Sequence, residues 1–297
     1  MRHQLPTIGA ALLAALMASA ATAQDAAPAP SDAAPREAAP AIAAGDWRVV
    51  APDNLLVIDT SKGRILVEMT PEAAPGHVAR MRLLAKAGFY DGLNWHRVID
   101  AFMAQTGDPL GTGEGQSWHP DLKAEFTFRR DAQTPFAAVA APAGALMGFV
   151  QSLPVQTQPD AVMRTTADGK VHAWGLYCPG VAGMARDDAP DSANSQFFLM
   201  RQPYPALDKR YTVWGRVVSG LDVVRALKFS PNPDGIVSDP DRMMRVRVAG
   251  DLAESERPTV RVLSTSSAPF RALVETTRTA RGADFSVCDI DLPVEVD

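Results

Sequence analysis

The sequence predicts a mainly β protein, an antiparallel barrel or sandwich. Runs rich in β-branched and apolar residues recur through the chain, and only two clear helical patterns fall among the central ones. The first two runs are joined by a tight turn, which makes them neighbours in one sheet. So many short strands must close or stack, because an open sheet exposes unpaired edges.

Asn54 to Thr60 (NLLVIDT) and Arg64 to Thr70 (RILVEMT) are the first two runs, joined through Ser-Lys-Gly as a hairpin. Pro75 to Gly88 reads as a helix, with Val78, Met81, Leu84 and Ala85 on one face and Gly88 as its stop. Next come NWHRVIDAFMAQTGD (Asn94 to Asp108), a glycine-rich loop (Gly111 to Gly115) and a short run at Lys123 to Phe128. Ser195 to Met200, Tyr211 to Val218 and Met243 to Val248 are strand-like, and Leu221 to Leu227 is a short helix. The region from about Arg129 to Pro179 fits this plan poorly, as does the tail from about Asp251. The tail holds a strand-like TVRVLS, a helix over Ser267 to Arg281 stopped by Gly282, and a final extended run.

Ahead of these elements, residues 1–23 resemble an export signal: Arg2, an apolar run from Ile8 to Ala18, and the small-residue site Ala21-Thr22-Ala23. The alternative is an N-terminal membrane anchor, but that run is short for a bilayer span; no other segment is long and apolar enough, so no membrane span is expected once the leader is removed. Residues 24–45 are mostly Ala and Pro and read as a disordered tether. Folded sequence is expected over 46–250, with a C-terminal extension over 251–297.

The net charge of −5 lends no support to a nucleic-acid partner. His77, His96, His119 and His172 lie far apart, and no Cys/His spacing resembles a metal site. The two cysteines, Cys178 and Cys288, allow one disulfide in an oxidising compartment, or else remain two thiols. No serine sits in a nucleophile-elbow pattern. GTGEG lacks the Gly-Lys-Ser/Thr ending of a phosphate loop and reads as a structural loop.

Arg97 is the residue that asks for an explanation. Strand alternation places it beside Trp95 and Ile99, with Phe102, Met103 and Gln105 following, and no acidic residue of the stretch is placed to pair with it.

At these residues the chain resembles the cyclophilin-type peptidyl-prolyl cis-trans isomerases. WHRVIDAFMAQTGD is similar to that family's F-H-R-[VI]-I-x-x-F-M-x-Q-x-G-D core. MARDDAPDSANSQFFLM and ALDKRYTVWGRVVSGLDVV resemble its second and third motifs, and the match runs in order from about Leu55 to Val248. The resemblance implies a closed eight-stranded antiparallel barrel capped by two helices, with a proline site on its outer face. It implies that Arg97 and Gln105 are catalytic, that Phe102, Met103, Phe198 and Leu207 form the proline pocket, and that Ala185 and Gln196 line the adjoining peptide groove. Tyr211 stands where many members have histidine. Together with the leader-like start, this gives a monomer in the periplasm or secreted, acting on proline-containing peptide segments without a cofactor. The rival is a non-catalytic peptide-binding chaperone module. A small-ligand barrel is a further alternative, and it would need an open interior.

The chain departs from the family pattern at Trp95 and Thr106, and at Arg186 and Asp187, whose charges stand beside the groove. The largest departure is the insertion over about 129–179. It either shapes client access, steadied by a Cys178–Cys288 bridge, or packs elsewhere as decoration.

Overall fold

The computed structural model describes residues 40–297, so the expected export signal and residues 24–39 of the expected Ala/Pro tether lie outside the described residues. In chain order the strands and helices are β1 (Trp47–Val49), β2 (Leu55–Thr60), β3 (Gly63–Met69), α1 (Pro75–Lys86), β4 (Arg97–Val98) and β5 (Met103–Thr106). The insertion supplies β6 (Phe128–Arg130), β7 (Phe136–Ala140), β8 (Leu146–Val150), β9 (Leu153–Thr157) and β10 (Val171–Gly175). Then follow β11 (Val181–Met184), β12 (Phe197–Met200), β13 (Val213–Ser219), α2 (Leu221–Ala226), β14 (Met243–Val248), β15 (Val260–Leu263), α3 (Ala268–Arg281) and β16 (Val294–Val296).

The main sheet has eight strands in the order β14-β2-β3-β13-β11-β12-β5-β4, all neighbours antiparallel. It curls into a barrel but is not fully closed. No strand ladder joins its edge strands β14 and β4. The gap is stitched by single bridges, Asn94 to Arg242 and Arg97 to Ile236, and by bonds such as Trp95 N–H to the Asp241 carbonyl (2.9 Å). The expectation of a closed barrel is corrected to that extent, because β4 is only two residues long and cannot form a ladder on its free side.

The first hairpin forms as read, with Thr60 opposite Gly63. Val78, Met81, Leu84 and Ala85 of α1 are all fully buried. Gly88 follows α1 at φ +68°, a left-handed position that closes the helix without a side-chain penalty. In the tail, the Ser267 hydroxyl caps α3 by accepting from Phe270 N–H (3.2 Å).

Alternation along each strand divides the apolar side chains between two cores. Inside the curl, Leu56, Ile58, Ile65, Val67, Ala104, Leu199 and Trp214 pack beneath α1 and α2. Phe197 sits at the centre, edge-on to Tyr90, Trp95 and Trp214 with ring centroids 5.5, 6.1 and 5.6 Å away. These bulky rings fill the interior, which argues against a small-ligand barrel.

The sheet's outer face forms the second core. Leu55, Val57, Leu66, Val181 and Val213 pack there with Phe149, Val150, Leu153 and Val155 of the insertion and Phe270, Val274, Val287 and Ile290 of the tail. The continuous apolar run in β2 has its reason here: a strand covered on both faces does not alternate. The two regions that fitted the barrel plan poorly are thus sheets of their own. The insertion is a five-stranded antiparallel sheet, β6-β10-β9-β8-β7, and the tail strands join β1 in a three-stranded sheet, β1-β15-β16. A disulfide between Cys178 and Cys288 joins the end of the insertion to the tail across 110 residues of sequence.

Candidate functional site

The register of four strands builds the site. Gly183 on β11 lies opposite Phe198 on β12, Phe198 opposite Gln105 on β5, and Gln105 opposite Arg97 on β4. Residues directly opposite share a face, so one row across the outer side of the sheet reads Gly, Phe, Gln, Arg. Met103, two residues before Gln105, falls on the same face, and Phe102 enters from the turn ahead of β5. Leu207 and Tyr211 close the far side from the loop leading into β13.

Arg97, Phe102, Met103, Gln105, Ala185, Phe198, Leu207 and Tyr211 therefore surround one cavity of about 210 Å³, together with Arg186. The four residues expected to form a proline pocket, Phe102, Met103, Phe198 and Leu207, thus line one cavity. A polar cavity of about 180 Å³ adjoins it, sharing Gln105, Ala185 and Arg186, and Gln196 lines that second space.

A hydrogen-bonded line ties the two cavities. Arg97 Nη1 donates to Gln105 Oε1 (3.2 Å), Gln105 Nε2 to Gln196 Oε1 (2.9 Å), and Gln196 Nε2 to the carbonyls of Gly113 and Gly115 (2.8 Å each). Arg97 Nε is held by the Asp234 carbonyl at 2.8 Å. No carboxylate lies within 4.0 Å of the Arg97 guanidinium among the described residues. Burial draws its pKa below the ordinary arginine value, opposed by the nearby Asp234 and Tyr211. A cation fixed at the rim of an apolar pocket, with no carboxylate in direct contact, is available to a visiting group.

The glycine-rich loop is held from within. Asp108 accepts from the N–H groups of Leu110 (2.7 Å), Thr112 (2.8 Å) and Gly113 (2.6 Å). Burial pushes the Asp108 carboxyl up, but these donors and Gly115 outweigh it and hold it below the usual carboxylate range. Amides turned onto an aspartate do not cradle phosphate, in keeping with a structural loop.

One reading of the opening stretch needs correction. Trp95 does not share a face with Arg97; it is fully buried in the inner core against Phe197. Strand β4 begins only at Arg97, so alternation does not reach back to Trp95. The tryptophan packs behind the site.

Three contributors escaped the sequence. Tyr177, fully buried at the end of the insertion, stacks on Phe198 with ring centroids 5.7 Å apart and an interplanar angle of 24°. Gly183 makes room for that stack: a Cβ there would lie 2.6 Å from Phe198 Cζ and 2.7 Å from Tyr177 Oη. Trp174 of β10 receives the Lys209 ammonium 4.6 Å from its ring centroid, and Lys209 is left-handed at φ +59° in the loop that carries Leu207 and Tyr211. An aromatic beside a cysteine was the only local signal for Tyr177.

Comparison with known proteins gives a family for the chain. The profile of the family described as cyclophilin type peptidyl-prolyl cis-trans isomerase/CLD matches residues 55–248. A probable peptidyl-prolyl cis-trans isomerase of Brucella suis is 32% identical over 212 residues, covering 67% of this chain and 85% of its own. Peptidyl-prolyl cis-trans isomerase B of Bacillus subtilis is 32% identical over 187 residues, covering 63% of this chain and 92% of its own. The crystal structure of a cyclophilin from Hirschia baltica superposes with a TM-score of 0.77 at 34% identity, covering 84% of this chain and 93% of that one. That coverage exceeds the span of the family match, so the likeness extends past the barrel. With its motifs in order and their residues gathered round one pocket, the chain belongs to the family of cyclophilin-type peptidyl-prolyl cis-trans isomerases.

Proposed function

We propose that this chain accelerates rotation about X-Pro bonds in folding exported proteins, with Arg97 stabilising the twisted amide. The observation that carries this reading is the Arg97 guanidinium, braced by Gln105 and Asp234 and left without a carboxylate partner beside an apolar pocket.

The rotation barrier, about 18–20 kcal/mol, comes from amide resonance. Twisting breaks that resonance and makes the prolyl nitrogen pyramidal and more basic. Phe102, Met103, Phe198 and Leu207 grip the ring and exclude water. Arg97, pre-oriented by Gln105, then donates to the twisted nitrogen or the neighbouring carbonyl more strongly than to the planar form. Such differential stabilisation lowers the barrier without a nucleophile or a proton transfer. Gln196, Ala185 and the polar cavity carry the flanking peptide.

The export assignment, to the periplasm or the medium, rests on the leader-like residues 1–23 and is supported by a disulfide, which persists in oxidising compartments. The protein acts as a monomer, with residues 46–250 as the isomerase domain and 251–297 as an extension.

The test is isomerisation of an X-Pro peptide by the mature protein and by Arg97→Ala. We expect kcat to fall about 100- to 1000-fold, the scale of removing one preorganised donor, with peptide binding largely kept. Equal rates for both proteins would leave the non-catalytic binding module as the function.

A further inference from the structure

We propose that Arg186 selects client segments carrying an acidic residue immediately before the proline. The inference rests on the isomerase reading above and names a substrate class for that site.

Arg186 occupies the divide between the two cavities. Its guanidinium lies over the Tyr211 ring, 4.5 Å from the centroid, and also faces Phe126 at 5.5 Å. Nε and Nη2 donate to the Arg210 carbonyl (3.0 and 2.9 Å), and Nη1 donates to the carbonyls of Asp187 (2.6 Å) and Asp188 (3.1 Å). The cation is thus held flat by backbone groups, and no carboxylate stands within 4.0 Å of it among the described residues. An arginine fixed in advance loses little side-chain freedom when a ligand pairs with it. One Nη2 hydrogen remains for that ligand.

The geometry also says which client residue it meets. Arg97 must face the prolyl nitrogen, and the line from Arg97 through Gln105 to Gln196 leads from there to the polar cavity. The residue bonded to that nitrogen, the one before proline, is therefore carried past Gln105, Ala185 and Arg186. At that point it stands between two guanidinium groups, Arg97 and Arg186, in a cavity lined by no acidic side chain, with Asp234 near Arg97 but outside the lining. A carboxylate is favoured there and an ammonium is opposed. Farther along, Glu114 and Asp187 line the polar cavity, so an acid placed one residue earlier in the client meets like charge.

The experiment measures kcat/KM for peptides identical except before the proline, which is preceded by Glu, Gln or Lys, plus one with Glu moved one residue farther away. In the wild type Glu should exceed Gln by about two- to fivefold, the range of a partly exposed ion pair, and Lys should fall below Gln. The displaced Glu should give no gain. The Glu-to-Gln ratio should approach one in Arg186→Gln and invert in Arg186→Glu; taking ratios within each variant cancels any general loss. In the wild type alone, added salt should draw the ratio towards one, which needs no variant to fold. A wild-type ratio of one, or a ratio unchanged in Arg186→Gln, overturns the proposal while leaving the isomerase reading intact. Failure to turn over any of the peptides would strike the isomerase reading itself.

Discussion

The two faces of the eight-stranded sheet are built from different parts of the chain. Among the described residues, the inner core draws only on those between Leu56 and Val248 and takes none from the insertion. The outer core mixes Met103, Phe198, Leu207 and Val213 of the barrel with Phe149, Tyr177 and Cys178 of the insertion and Phe270 and Val287 of the tail. The cavity beside Arg97 opens on the outer face. Its front is made of barrel residues, but its floor is backed by a core the barrel does not complete alone. The row that carries Arg97 and Gln105 is thus barrel sequence, while Phe198 and Leu207 share a core with the insertion and the tail.

The strongest way to break this picture is to remove the backing. Tyr177→Ala deletes a fully buried ring beneath Phe198 and should cost about 3–5 kcal/mol of stability, measured by denaturant unfolding. Under conditions where the variant stays folded, KM for an X-Pro peptide should rise more than kcat falls, because the pocket floor loosens while Arg97 keeps its partners. Tyr177→Phe is the control. The buried hydroxyl has no hydrogen-bond partner, so its removal should be neutral or slightly stabilising. An unchanged KM in a folded Tyr177→Ala protein would separate the insertion from the pocket and make it decoration.

The disulfide probes the same coupling from farther away. Cys178 follows Tyr177 directly, and its partner lies 110 residues on. A bridge closing so long a segment stabilises by about 2–4 kcal/mol in typical cases. Replacing both cysteines by serine should lower the unfolding free energy by that order, with a matching fall in the midpoint, and raise KM modestly, with kcat nearly kept. A midpoint equal to the wild type would mean that packing alone holds the tail to the outer core.

What the sequence could convey follows the same division. Arg97, Phe102, Met103 and Gln105 lie within one short stretch, and Gln196 and Phe198 within another, so two motifs gather them, and alternation puts Met103 with Gln105 and Gln196 with Phe198. Leu207 and Tyr211 follow from the third motif. The insertion's strands are weaker signals. FAAVA in β7 is mostly alanine, and β9 begins Leu-Pro, so neither shows the clear apolar alternation that marks a strand. The contacts that matter, Tyr177 on Phe198 and Trp174 under Lys209, join distant segments and have no local spacing to read. The incomplete closure of the barrel depends on the two-residue length of β4, a boundary that propensity does not resolve.

The smallest effect concerns Asp208, where barrel loop and insertion meet. Its carboxylate accepts from Tyr177 N–H (3.0 Å), one residue from Leu207 in the pocket wall. Burial raises its pKa to about 6, against the opposing pull of that N–H and of Lys209. A carboxyl whose folded pKa lies above its unfolded value favours folding in its neutral form. Its stabilising contribution is complete below about pH 4 and is lost as pH rises through about 6. Asp208→Asn removes this titration. The melting temperature of the wild type minus that of the variant should therefore fall between pH 4 and pH 7 and level off above. The difference taken between the two proteins cancels carboxylates such as Asp91 and Glu125, whose pKa values are depressed and which act in the opposite sense. A flat difference would mean that Asp208 is well solvated, and that the junction between insertion and pocket wall is looser than its hydrogen bond to Tyr177 implies.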